Sequence, residues 1–234
     1  MADIKPITVY NHPSGPNPKK VFIVLEELEL PYEKIDISDP KADSFTSTIN
    51  PNGRLPAIKD PNTDILLWES GAIIEYLIEK YDKEGKLTPA GDKDKWLAKQ
   101  YLFFQVSGQG PYYGQMVWYN YFDKNNPEAK KRYDDQVERV IMVLNSILKG
   151  KKYLVSDTLY GKPLSPWRAE LLLTSCHRTY ADLSFVPWTL AISGFKDIME
   201  SWEVEKKYPD YLAWHARLLE RPSVRKVYGL DKSE

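Results

Sequence analysis

The chain has 234 residues, of which 42% are hydrophobic and 28% charged, enough to bury a core and unlike a disordered or collagen-like composition. Lys plus Arg number 32 against 33 Asp plus Glu, and the resulting net charge of −1 leaves no basic footprint for nucleic acid. A single cysteine, Cys176, excludes an internal disulfide, and neither it nor the three histidines stand at zinc-ligand spacings, so no structural metal is expected.

Ile7 to Tyr10 reads as a short strand that stops at the breaker cluster Asn11 to Pro18. Val21, Val24, Leu25 and Leu28 then recur at helical spacing, and Tyr32 to Ile37 alternates as a second strand, which makes a βαβ unit. A short polar helix near Asp43 to Thr48 precedes a turn at Asn50 to Arg54, marked by its Asn, Pro and Gly. Pro56 to Lys59 and Ile65 to Trp68 pair as a hairpin, and Ser70 caps a helix over Gly71 to Tyr81 with Ile73, Ile74, Leu77 and Ile78 on one face. The charged, Gly- and Pro-containing stretch Asp82 to Asp94 reads as a linker. Long helical patterns follow: Lys95 to Tyr121, interrupted at Gly108, Gly110 and Pro111; Pro127 to Lys149; Ala181 to Ile192; Phe195 to Lys207; and Tyr211 to Glu220. The fold class is therefore a small α/β domain over 1–83, a linker over 84–94 and an all-helical domain over 95–234. No run approaches the ~18 apolar residues of a membrane span and the start has no signal-peptide core, so a cytoplasmic location is expected.

Three stretches carry a family resemblance: Asn50-Pro51-Asn52-Gly53-Arg54-Leu55-Pro56-Ala57, Trp68-Glu69-Ser70-Gly71-Ala72-Ile73, and Tyr180-Ala181-Asp182-Leu183-Ser184-Phe185-Val186-Pro187-Trp188. Together they resemble the cytosolic glutathione transferases across nearly the whole chain. Ser14-Gly15-Pro16-Asn17 and Phe103 to Pro111 are similar to the fungal, nu-class-like branch related to the yeast nitrogen-regulation prion protein. The resemblance implies a thioredoxin-like first domain that binds glutathione as co-substrate, a helical-bundle second domain, no metal, a homodimer, and a hydrophobic electrophile as second substrate. In the family the stretch between Leu154 and Tyr180 is short, so about 156–178 is an atypical insertion here.

A thiol with a pKa of about 8.5 is mostly protonated at neutral pH, and lowering that value by two units takes ~2.7 kcal/mol of preference for the anion. Hydrogen-bond donors near a helix start supply such a preference. Asn17 is the expected sulfur-facing donor and Ser14 its reserve; Tyr10, at the strand end, is expected to pack in the core. The resemblance implies a cis Leu55–Pro56 bond, with the Leu55 backbone pairing with the cysteinyl backbone of glutathione as an added strand does. Glu69 would accept from the γ-glutamyl ammonium, and Ser70, with the first amides of its helix, would take the γ-glutamyl carboxylate; Lys41 and Arg54 are candidates for the glycyl end. Gln105, Tyr112, Tyr113, Gln115, Met116 and Tyr119 are expected to wall the electrophile pocket. Thr179 and Asp182 have capping-box spacing and are read as structural.

The expected activity is transfer of the glutathione thiolate to a hydrophobic electrophile, in detoxification or secondary metabolism. Glutathione-dependent disulfide reduction is one alternative, and a non-catalytic ligand-binding or regulatory protein another. No Asn-rich tail precedes the first strand, so a prion-type regulator is not expected.

Overall fold

A computed structural model describes residues 4–155 and 178–230. The segment 156–177, which holds Cys176 and nearly all of the expected insertion, lies outside the described residues. Contacts divide the chain into one unit of Met1–Lys86 with Arg221–Glu234 and another of Leu87–Glu220.

The first unit is built on a four-stranded sheet in the order β2-β1-β3-β4, formed by β1 (Ile7–Asn11), β2 (Tyr32–Asp36), β3 (Ala57–Asp60) and β4 (Ile65–Trp68). β1 and β2 run parallel with Ile7 opposite Tyr32, as the crossover helix between them demands. β3 runs antiparallel to both β1 and β4, with Val9 opposite Ile58 and Ala57 opposite Trp68. Ile7, Val9 and Ile58 are fully buried on one face of the sheet, with the apolar faces of α1 (Pro16–Glu27) and α3 (Ser70–Tyr81), including Val21, Val24, Leu25, Ile73, Ile74 and Leu77; Ala57, opposite Tyr10, is buried on the other face. A single turn, α2 (Asp43–Thr46), buries Phe45, onto whose ring the half-buried Tyr10 packs edge-on at 5.9 Å.

In the first unit two helix starts differ from the sequence reading; in the second, the helix expected from Lys95 begins at Asp92, inside the expected linker, and the one expected from Tyr211 begins at Pro209. α1 begins at Pro16, not after Pro18, because a proline in the first turn gives up an N–H that would have no helical partner anyway. Asn17 therefore belongs to the first turn of α1. At α3 the flanking position is Glu69, in a left-handed conformation with φ 74°, and Ser70 is the first helical residue instead of the cap. The last helix of the chain, Pro222–Tyr228, was grouped with the helical half on sequence but packs on α1. Arg221 donates to both carboxylate oxygens of the buried Glu27, each at 3.0 Å, and Ser223 Oγ adds a bond of 2.7 Å.

The second unit contains α4 (Asp92–Phe104), a π-helical turn (Gln105–Gln109), α5 (Gly110–Tyr121), α6 (Pro127–Leu148), α7 (Tyr180–Ile192), α8 (Lys196–Ser201), α9 (Val204–Lys207) and α10 (Pro209–Leu219). The interruption expected at Gly108 to Pro111 is thus a widening of the helix, not a break. Phe195 to Lys207 is two helices because Glu203 turns left-handed at φ 53°. Val137, Val140, Ile141, Leu144 and Leu148 of α6 form the buried stripe read from their spacing. The capping box at Thr179 is present, and its Asp182 is wholly buried. Asp182 accepts from Thr179 N at 2.7 Å, Leu154 N at 2.8 Å, Trp214 Nε1 at 2.9 Å and Thr179 Oγ1 at 3.1 Å. Burial raises its pKa, with those four donors opposing the shift. Among the described residues no helix is long and apolar enough to cross a membrane.

Asp182→Ala should cost about 3 to 5 kcal/mol of unfolding free energy, because it strands three buried N–H groups at once. Urea unfolding followed by circular dichroism measures this; a loss below about 1 kcal/mol would show that Asp182 is not the fastening point of α7.

Candidate functional site

A cavity of about 230 Å³ in the first unit is lined by Asn17, Asn50, Arg54, Leu55, Pro56, Glu69 and Ser70. Its walls come from three places where backbone direction changes: the first turn of α1, the loop from Asn50 to Pro56, and the β4-to-α3 junction. Each of these leaves polar groups without regular secondary-structure partners, which suits recognition of a polar, extended ligand.

The loop is held by Asn50, only 1% exposed. Its amide donates to Arg54 O at 2.8 Å, its side-chain oxygen accepts from Asn52 N at 2.9 Å, and its carbonyl accepts from Gly53 N at 2.9 Å. Gly53 has φ 59°, and a Cβ there would come within 3.1 Å of Pro40 O, so the turn requires glycine on both counts. The loop then enters β3 through a cis Leu55–Pro56 bond, the isomer implied by the resemblance.

At the β4-to-α3 junction the exposed Glu69 stands beside the buried Ser70. A left-handed conformation is rare for a residue with a side chain and persists where its surroundings hold it. Behind Ser70 lies Lys20 of α1, 1% exposed, whose Nζ donates to Ser70 Oγ at 3.2 Å. Burial pushes the Lys20 ammonium down to about 7, and the Glu69 carboxylate opposes that shift.

Six residues proposed from the sequence therefore gather on the cavity: Asn17, Arg54, Leu55, Pro56, Glu69 and Ser70. Ser14 and Lys41 do not line it. Ser14 is exposed, with its hydroxyl 2.9 Å from His12 Nδ1, and Lys41 is exposed, with its backbone N–H on Asp39 Oδ1. In the helical unit, Gln105, Tyr113 and Met116 are core residues and offer no surface to a ligand, which corrects half of the expected aromatic wall. The Gln105 amide donates to Gln109 Oε1 at 2.9 Å, and Gln109 in turn donates to Phe185 O and Thr189 Oγ1, filling the space opened by the π-helical turn. Tyr112, Gln115 and Tyr119 keep exposed area; Tyr112 lies 5.8 Å from the Arg139 guanidinium and Tyr119 stacks on Tyr133 at 5.5 Å.

The sequence reading marks Asn50 as a turn residue but gives neither it nor Lys20 a place at the site; the signal for Lys20 is a charge four residues before Val24 on the apolar stripe of α1. Among the described residues no group of three or more His, Cys, Asp or Glu could hold a metal ion.

A family model described as "Glutathione S-transferase, N-terminal domain" matches residues 9–85, a span that includes every cavity residue. The chain is 43% identical over 230 residues to the glutathione S-transferase-like protein tpcF of Aspergillus fumigatus, covering 97% of this chain and 96% of that protein. The chain belongs to the glutathione S-transferase family. Two solved members of that family, both from Phanerochaete chrysosporium, share its fold closely. One is the glutathione transferase URE2P8 with oxidized glutathione, 34% identical with a TM-score of 0.81, covering 98% of this chain and 96% of that one. The other is Ure2p5 cocrystallized with 1-(S-glutathionyl)-2,4-dinitrobenzene, 33% identical with a TM-score of 0.78, covering 97% of this chain and 94% of that one. In this glutathione S-transferase family member the first unit has the thioredoxin-like βαβ-ββα order.

Asn50→Ala removes two side-chain bonds from a buried turn and should lower stability by about 2 kcal/mol. The midpoint of thermal unfolding measures it; an unchanged midpoint would show that the loop is held by its glycine and proline alone.

Proposed function

We propose that the protein is a glutathione transferase that joins the glutathione thiolate to a hydrophobic electrophile. The observation that carries this reading is the convergence of Asn17, the Leu55 backbone and Ser70 on one cavity. Those three positions offer a donor at a helix start, the backbone of the loop residue before the cis proline and a second helix start, which suit the thiolate and backbone of the cysteinyl residue and the carboxylate of the γ-glutamyl residue. Glu69 accepts from the γ-glutamyl ammonium, and Arg54 lies toward the glycyl end. Asn17 carries an amide, which cannot remove a proton, so its part is to donate to the sulfur and favour the anion with help from the positive end of α1. With an aromatic chloride the thiolate sulfur attacks the ring carbon, an S–C bond forms, and chloride leaves with its electron pair. Positioning and ionising the thiol account for the protein's contribution.

The conjugate held by Ure2p5 and the 43% identity to tpcF support this assignment. The oxidized glutathione held by URE2P8 favours a second reading, in which the same thiolate attacks a glutathionyl disulfide and expels the other thiolate. Parallel assays with an aromatic chloride and with hydroxyethyl disulfide separate the two; turnover of the disulfide alone would overturn the transferase reading. A homodimer is part of the proposal, supported by exposed aromatic rings on the helical unit such as Trp96, Phe103 and Trp118.

Asn17→Ala should raise the pH midpoint of the bound thiol by about one unit, the equivalent of ~1.4 kcal/mol or one hydrogen bond to a charged group. The ultraviolet absorbance of the thiolate during a pH titration of the complex measures it. An unchanged midpoint would move the role to Ser14 or to backbone amides, and no calorimetric binding of millimolar glutathione would remove both enzymatic readings.

A further inference from the structure

Among the described residues of the first unit, Lys20 is the one lysine that the fold takes out of water, 1% exposed where Lys19, Lys34 and Lys41 keep solvent contact. Burying an ammonium without compensating hydrogen bonds and charge is costly, so its surroundings matter. Its Nζ donates to Ser70 Oγ at 3.2 Å, and Ser70 is also one of the residues that line the cavity. A serine hydroxyl has one proton and two acceptor lone pairs. An ammonium has donors only, so Lys20 must occupy a Ser70 lone pair, and the Ser70 proton is left for another acceptor. Of the charged groups around α1, the Glu69 carboxylate acts on Lys20. On the last helix, Arg221 is engaged with Glu27, Lys226 with Glu26, and Tyr228 lies under Lys19; on β1, Tyr10 packs on Phe45.

We propose that Lys20 is a positioning residue for the γ-glutamyl end of glutathione: by donating to Ser70 Oγ from the protein side, it turns the Ser70 proton toward the bound α-carboxylate and places a buried positive charge behind it. This rests on the glutathione reading above. The carboxylate then meets a hydroxyl already oriented to donate, together with a cation that cannot be screened by solvent. Glu69, exposed at the rim, is left for the ammonium of the same amino acid end. Lys20 thus acts on recognition of the tripeptide and leaves the sulfur to Asn17. Burial lowers the midpoint of Lys20, so an arriving carboxylate should raise it and draw a proton onto the amine.

The experiment compares binding of S-methylglutathione, which has no ionisable thiol, with its analogue carrying 4-aminobutyrate in place of the γ-glutamyl residue and so lacking the α-carboxylate. Calorimetry on the full chain is run for wild type, Lys20→Met and Lys20→Arg. Lys20→Met should weaken S-methylglutathione by tenfold or more, the loss of one charge-assisted contact. It should leave the analogue within about twofold, and Lys20→Arg should recover part of the loss. Equal weakening of both ligands, or no weakening of either, overturns the proposal while the glutathione reading stands on wild-type binding. Absence of wild-type binding to S-methylglutathione overturns both. Wild type alone gives a reading that does not depend on the variant folding: binding just above the Lys20 midpoint, in two buffers of different ionisation enthalpy, should take up protons with S-methylglutathione and fewer with the analogue. Equal proton uptake for the two ligands overturns the proposal.

Discussion

The ammonium of Lys20 is held in a place where water cannot solvate it, and the region around the cavity is arranged accordingly. An amine buried on the inner face of α1 needs acceptors within a few ångströms, and Ser70 at the start of α3 supplies one at 3.2 Å. That contact ties the two helices that pack on the same sheet. It also fixes which way the first residue of α3 faces. Glu69 completes the arrangement: its left-handed backbone ends β4 abruptly, so that Ser70 enters the helix with its side chain toward Lys20 and its carboxylate neighbour stays at the rim. A strained residue of this kind costs of the order of 1 to 3 kcal/mol and is kept where the surrounding structure over-determines it.

The helical unit solves a similar problem with the opposite charge. Asp182 is buried among α7, α10 and the segment at Leu154, and it accepts from four donors that would otherwise lack partners. Burial alone would favour the protonated carboxyl; the donors are what make an ionisable group tolerable there. Both units thus have a buried ionisable side chain bonded to residues at a helix start. In the first unit it stands behind a cavity, and in the second it is enclosed by protein groups, which is why only the first is read as part of a binding site.

Much of this was written in the sequence in local form. The order βαβ then ββα, the stripe of α6 and the capping box at Thr179 follow from periodicities and spacings that survive whatever packs around them. Six cavity residues were also legible, because Asn50 to Arg54, Leu55-Pro56 and Glu69-Ser70 are turn and helix-start chemistry, and turns are where a backbone presents unpaired groups. The aromatic wall fared differently. Tyr113 and Met116 share the helical spacing of Tyr112, Gln115 and Tyr119, and a helix position says which residues share a face without saying what that face meets. Gln105 and Gln109 look like surface amides, yet the π-helical turn carries both into the core, where they bond to each other and to α7.

The sequence by itself determined the secondary-structure order, the two-part organisation into α/β and helical segments, and the turns that would face a ligand, since each depends on interactions a few residues apart. Tertiary structure alone decided that Lys20 is buried and joined to Ser70, fifty positions away, that Ser14 and Lys41 stand off the cavity, and that the last helix returns to α1. Those outcomes depend on burial, and whether a lysine reaches water or a serine is settled by what the rest of the chain places over it.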